Sequence, residues 1–211
     1  MDKHVFTVIV GDLFHSRSIE KRNEFRNKLH SVINSINDEF SSDLYAPLRL
    51  TRGVDELSGV LYTPNVSFRI CRTLNYAINP LQFRFAIVRD TLDVALDSHN
   101  AGSMDGPAFH IAANLIENIR HEKSLYQFKI SGDSSINLLL NNLTKLIQVV
   151  RSNWTEHQRD LFDLYMENKN QKAVAKEYNI TQQAVSAALK KTHWQVINIA
   201  EESIDTILEK M

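Results

Sequence analysis

One cysteine, six glycines and four prolines in 211 residues leave the chain short of several common devices. The lone Cys71 cannot close an intramolecular disulfide, and in the helical-looking stretch 67–78 it reads as a small buried hydrophobe suited to a reducing cytoplasm. The six glycines form neither a P-loop nor a dinucleotide fingerprint, so the common phosphate cradles are excluded. Eight histidines include no H-x-x-x-H pair, and with a single cysteine they offer no zinc site of the usual spacing. Ser16, Ser131 and Ser134 lie in no nucleophile-elbow pattern. The early apolar run 5–10 stops at Gly11-Asp12, far short of the roughly 20 residues of a membrane span, and it has no signal-peptide cleavage pattern. A cytoplasmic protein without a membrane partner is expected. Lys and Arg total 24 against 25 for Asp and Glu, so any attraction to nucleic acid must be local. The 43% hydrophobic and 23% charged residues are those of an ordinary globular chain with room for one well-cored domain or two small ones.

Residues 4–10, rich in Val, Ile, Phe and Thr, read as a buried strand that delivers Asp12 at its carboxyl end. Phe25, Leu29, Val32, Ile33, Ile36 and Phe40 recur at helical steps and predict an amphipathic helix over 18–40. Segments 47–53 and 57–62 form a hairpin around Val54-Asp55-Glu56. A helix over 65–78 ends at Asn79-Pro80, a strand follows over 82–89, and 90–102 reads as an irregular connection. Asp105-Gly106-Pro107 opens a helix to about His121, and a last strand covers 125–131. The order β-α-β-β-α-β-α-β predicts an α+β domain, residues 1–133, with a ferredoxin-like antiparallel sheet whose helices cover one face. Strand signals then cease. Ile136, Leu139, Leu140, Leu143, Leu146, Ile147 and Val150 predict a connecting helix over 134–152, with the boundary near Val150, and 153–211 reads as all-α.

The sharpest local signal spans 171–190. After a helix capped by Thr155, with Leu161, Leu164 and Tyr165 on one side, Val174 and Ala175 face inward. Asn179 takes a turn position that needs φ > 0, Ile180 plugs the turn, and Val185 and Leu189 anchor the next helix. This is the spacing of a helix-turn-helix DNA-binding domain, 153–211. Its second helix starts at Thr181 and projects Thr181, Gln182, Gln183, Ser186, Lys190 and Lys191, with Gln suited to adenine edges and Lys to phosphates. Residues 168–194 hold five lysines against one glutamate, a net of +4 in a nearly neutral chain. A solvated helix face, or a packing unit that never meets DNA, accounts for the same residues. The helix 194–208 carries more apolar surface than a trihelical unit needs, which a dimer seam or the connecting helix would use.

Asp12 at a strand end and Asp55-Glu56 on the hairpin come together if those strands adjoin, and paired carboxylates suit Mg²⁺. A capping role for Asp12 and a solvated tip for Asp55-Glu56 explain them equally. Val10-Gly11-Asp12-Leu13 with Ser16-Arg17, Val54-Asp55-Glu56-Leu57, Met104-Asp105-Gly106-Pro107-Ala108-Phe109-His110 and the helix-turn-helix together resemble the SatD family over nearly the whole chain. More distantly, the N-terminal part resembles the class III nucleotidyl cyclase domain through Asp12, Asp55 and the Gly106-Pro107 entry to a helix containing Ala112-Ala113. That resemblance implies metal binding by Asp12 and Asp55. The chain departs from it at His110 and Asn114, where the cyclase helix has an Asn and an Arg that stabilise the transferring phosphoryl group, and at Val54, where the hairpin has glycine. No catalytic residue is assigned, and the expected fold is a cyclase-like scaffold without cyclase activity.

The expectation is a DNA-binding transcription regulator of the SatD type, a homodimer whose N-terminal domain senses or dimerises and answers to Mg²⁺ or a nucleotide effector. The alternatives are a Mg²⁺-dependent nucleotide-binding or nucleotide-processing enzyme using Asp12 and Asp55, and a scaffold whose helix-turn-helix binds protein.

Overall fold

A computed structural model describes residues 4–14, 16 and 19–211. Among these it shows an α+β protein with the elements β1 (Val5–Leu13), α1 (Arg22–Glu39), β2 (Leu44–Arg52), β3 (Glu56–Leu61), α2 (Ser67–Ala77), β4 (Phe83–Thr91), α3 (Pro107–Glu122), β5 (Tyr126–Lys129), α4 (Ser134–Ser152), α5 (Glu156–Asn168), α6 (Gln171–Glu177), α7 (Gln182–Lys191) and α8 (Trp194–Glu209). The element order follows the hydrophobic periodicity of the sequence. Within the 92–106 connection the chain makes a short 3₁₀ turn, Leu96–Ser98, and an isolated bridge between Val94 and Asp105. Arg17 and residue 18, the first of the expected helix, lie outside the described residues.

The sheet has five strands in the order β2-β3-β1-β4-β5. β1 is central, antiparallel to β3 with Asp12 opposite Glu56, and antiparallel to β4 with Asp12 opposite Arg84. The expected all-antiparallel sheet needs one correction: β5 pairs parallel to β4, because the α3 crossover returns the chain in the same direction.

A second correction concerns the helices, which cover both faces. Side chains alternate along β1, and its residues 6–9 are all buried, so each parity meets a layer of its own. Phe6, Val8, Ala86 and Val88 pack with Ala108, Ala112, Ile116 and Ile119 of α3. The opposite parity faces α2: the Asn75 side chain donates to the Phe83 carbonyl and accepts from its N–H, and Phe68 meets the rings of Tyr126 and Phe128. Gly11 belongs to this second parity, and a Cβ there would stand 2.8 Å from the Phe85 ring. The fully buried runs in β1 and β4 reflect this two-sided cover.

Two helices stitch the sheet's outer strands. Asn37 of α1 donates to the Leu48 carbonyl and accepts from its N–H, each at 2.9 Å, on the edge strand β2. Asn141 of α4 does the same to Phe128 on the other edge strand, β5. Each amide side chain presents a donor and an acceptor to an edge that would otherwise show unpaired backbone groups.

The chain divides into two compact units, Met1–Asn142 with Ile204–Met211, and Leu143–Ser203. The final residues were expected in the C-terminal domain, yet they cluster with the first unit. There Asp205 pairs with Arg72 at 3.2 Å, Glu209 with Arg69 at 3.5 Å, and the Met211 carbonyl accepts from Arg89. The apolar stripe expected on α4 is also modified. Leu140 and Ile147 are buried with Asn137 and Thr144, whereas Leu139 and Leu146 are exposed. Among the described residues no helix is long and apolar enough to cross a membrane.

Candidate nucleic-acid interface and the charged end of the sheet

The second unit is built by local capping. Thr155 caps α5 in a full capping box: its hydroxyl accepts from the Gln158 N–H, and the Gln158 side chain accepts from the Thr155 N–H. The Asn170 side chain caps α6 by accepting from Lys172 and Ala173. Past the end of α6 the chain turns at Asn179 with φ +51°, as expected from the sequence, where the Ile180 N–H reaches the Ala175 carbonyl at 3.0 Å and the Asn179 N–H that of Lys176 at 3.3 Å. Thr181 then caps α7 by accepting from Ala184 at 3.1 Å, so the helix proper begins at Gln182. Between the end of α6 and the start of α7 lie four residues.

Val174, Ala175, Val185 and Leu189 are buried as expected, while Ile180 is half-buried in the turn. On α5, Leu161 is buried but Leu164 and Tyr165 only half so; the second buried position is Phe162, against Trp154 at a ring distance of 4.9 Å. The Trp154 indole donates to the Thr192 carbonyl at 3.0 Å and ties the α4–α5 link to the end of α7. The Tyr178 hydroxyl is held above its ordinary pKa by burial and by the nearby charges of Asp160, Glu177 and Asp163.

The outward face of α7 is different in kind. Thr181, Gln182, Gln183, Lys190 and Lys191 are exposed and Ser186 is half-buried. Apart from the Thr181 cap, none of these six side chains makes a hydrogen bond or ion pair with another described residue. Gln183, Ser186 and Lys190, three and four residues apart, share one side of the helix, with two lysines in its last turn.

At the end of the sheet the two aspartates are close along the backbone, since the Leu13 N–H donates to the Asp55 carbonyl at 2.8 Å. Their side chains serve different partners. Asp12 receives Nη2 of Arg120 on one oxygen at 2.7 Å and its Nε on the other at 3.2 Å, with Arg84 at 3.5 Å. Arg120 also pairs with Glu117, one turn earlier on α3. Burial lowers the pKa of Arg84, whose side chain is 12% exposed, whereas the bond to Asp12 raises that of Arg120, which is 40% exposed. Asp55 receives Arg22 of α1 on both oxygens, at 3.3 and 3.4 Å. With guanidinium groups on every oxygen of both carboxylates, the donors do not fit Mg²⁺. Among the described residues no group of three or more His, Cys, Asp or Glu side chains could hold a metal ion.

Arg84 and Arg120 were not singled out from the sequence. The cross-strand position of Arg84 and the placement of Arg120 four turns into α3 become visible only once the strands are paired. His110 lies 3.1 Å from Asp105, and Asp105 accepts from the Gly106 N–H at 2.8 Å. Gly106 itself has φ +147°, with room for no Cβ: it would fall 2.9 Å from the Leu92 Cα.

Comparison with curated proteins finds no match. The SatD family model, in contrast, matches residues 6–205, nearly the whole chain, and the chain belongs to the SatD family.

Proposed function

We propose that the protein is a DNA-binding transcription regulator in which α6, the four-residue turn and α7 act as a helix-turn-helix and α7 as its recognition helix. The observation that carries this reading is the unengaged polar face of α7. Buried polar groups are satisfied within a protein, and exposed ones by water, but Gln183, Ser186 and Lys190 on one side of a short, firmly capped helix match what base edges and phosphates require. Gln182 and Gln183 are the base-reading side chains, and Lys190 and Lys191 the phosphate contacts. The net +4 of residues 168–194 supplies the attraction locally, which the overall charge of −1 does not.

The strand order β2-β3-β1-β4 supports a ferredoxin-like, cyclase-like scaffold for residues 1–133, followed by the connecting helix 134–152 and the DNA-binding part. Exposed Leu146 and Val149 on α4 and Val196 and Ile199 on α8, all in the second unit, support a homodimer that would cover them. Two recognition helices would then meet half-sites about 34–36 Å apart, or a multiple of that spacing. The enzyme reading has no comparable support, because the carboxylates it needs are held by arginines.

Fluorescence anisotropy against labelled duplexes from the flanking genome and a random duplex, over a salt series, tests this. A sequence-reading regulator retains affinity for one fragment above the random background, with a salt slope of a few ions. Equal binding to all duplexes, lost at physiological salt, removes the recognition-helix assignment.

A further inference from the structure

The packing of α7 decides which of its side chains point away from the protein. Val185 and Leu189 are its buried residues. Ala187 is two positions from each, roughly 200° around a helix of 3.6 residues per turn, so its methyl stands opposite the core. Gln183 lies one turn earlier on the same side and Lys190 three residues later. All three are exposed. The small Ala187 keeps the middle of this face low, so the helix backbone can come close to the floor of a groove.

The residue types on this face select among the bases. In the major groove guanine is taken by a bidentate Arg or Lys, cytosine by Glu or Asp, adenine by Asn or Gln, and the thymine methyl by an apolar group such as Ala. α7 contains no Arg, Asp or Glu, and its two lysines stand in the last turn, whereas a recognition helix meets base edges with its N-terminal residues. Adenine remains for Gln183 and thymine for Ala187. Four residues of helix rise by about 6 Å and a DNA strand by about 3.4 Å per nucleotide, so the two contacts fall within about two base pairs of each other.

We propose that α7 reads A·T pairs: the Gln183 amide oxygen accepts from the N6–H of an adenine while its N–H donates to N7, and the Ala187 methyl packs on the C5 methyl of a nearby thymine. Both contacts depend on α7 being the recognition helix, and they add the class of base pair to that reading. Ala187 is then a specificity residue, where helix propensity alone would also favour alanine.

The test selects duplexes with a randomised central segment on the full chain at physiological salt and sequences those retained. The enriched site is then synthesised with each thymine in turn replaced by deoxyuridine, which lacks only the C5 methyl. Expected is one thymine whose replacement weakens binding about fourfold, the worth of one methyl group taken out of water. Ala187→Gly should bind the thymine and deoxyuridine duplexes alike, whereas Ala184→Gly, with the same backbone cost, should keep the difference. Gln183→Ala should lose a preference for adenine over guanine, about fivefold or more in the unmodified chain, within about two base pairs of that thymine. Each readout is a ratio between duplexes, so a smaller folded fraction does not imitate it. A site that tolerates deoxyuridine at every thymine, a ratio unchanged in Ala187→Gly, or a Gln183→Ala variant whose lost preference is for a G·C pair would overturn the proposal and leave the helix-turn-helix reading in place. Enrichment of no sequence would overturn both.

Discussion

The outward face of α7 and the charged end of the sheet hold similar numbers of polar side chains and use them in opposite ways. Around Asp12 the charges satisfy one another: Arg120 on both carboxylate oxygens, Arg84 across the strand, Glu117 on Arg120. Among the described residues, the outward side chains of α7 have one partner, the Ala184 N–H of their own helix, which Thr181 accepts. A group already paired inside the fold must give up that bond before it can take a ligand, whereas an unengaged group gives up only water. The first region is therefore read as structure and the second as a surface for a partner, although the sequence draws attention to both.

Breaking the Asp12 cluster has the largest expected effect. Asp12→Ala leaves the nearly buried Arg84 without its counter-charge, and the cost of uncompensated burial is about 3 kcal/mol. Urea unfolding measures it. Replacing Asp12, Arg84 and Arg120 together by Leu, Met and Leu should cost less than Asp12→Ala alone, since no buried charge is then left unpaired. A triple variant less stable than the single one would show that the cluster's geometry, and not its charge balance, holds this end of the sheet.

Gln183→Ala should do the reverse. Stability stays within about 0.5 kcal/mol, the usual range for exposed positions. Specific DNA affinity falls by about 1–3 kcal/mol, while affinity for random duplex is unchanged. Lys190→Ala should instead weaken all duplexes alike and reduce the salt slope by about one ion. Equal losses on specific and random DNA for both variants would erase the distinction between base-reading and phosphate contacts. Thr181→Ala lies between the two regions, because this residue both faces outward and caps. Loss of the cap should destabilise the fold by about 1 kcal/mol in urea unfolding, and any larger drop in DNA affinity than Ala184→Gly produces would report a direct contact.

Why one region was legible and the other was not follows from the range of the interactions. The capped turn 178–181 is local: Asn179 at φ +51° and the Thr181 cap depend on neighbours within five residues, so residue type and spacing suffice to read them. Element order is equally local, since hydrophobic period is a property of short windows. The Asp12 cluster joins residues 108 positions apart, and nothing in the neighbourhood of either Asp12 or Arg120 announces the other. The same holds for Asn37, Asn75 and Asn141, which look like ordinary polar positions on helices and turn out to pair with strand backbone. The one-sided sheet was misjudged for a related reason. A run such as Phe6-Thr7-Val8-Ile9 is buried on both parities, and only the position of α3 shows what covers the second face. On α4, Leu139 and Leu146 have the right period for burial yet are exposed, because Asn137 and Thr144 occupy the buried face instead.

The smallest expected effect tests whether an exposed ion pair belongs with the satisfied cluster or with the open surface. Asp105 is held below its ordinary pKa chiefly by the Gly106 N–H, against an opposing desolvation, with further lowering by His110. A carboxyl whose folded value is depressed adds stability at pH above its unfolded value, near 3.9, and loses that contribution as pH falls through the folded value. Stability should therefore decline with acidification below about pH 4 less steeply in Asp105→Asn than in the unmodified chain, as read from urea midpoints between pH 5 and pH 2.5. The side chain is 53% exposed, so the difference should be slight beside that of Asp12→Ala. Identical acid slopes would mean that the Gly106 contact shapes the entry to α3 without stabilising it. A steep difference would move Asp105 into the class of groups the fold depends on, and would make the Gly106-Pro107 helix entry as structurally sensitive as the Asp12 cluster.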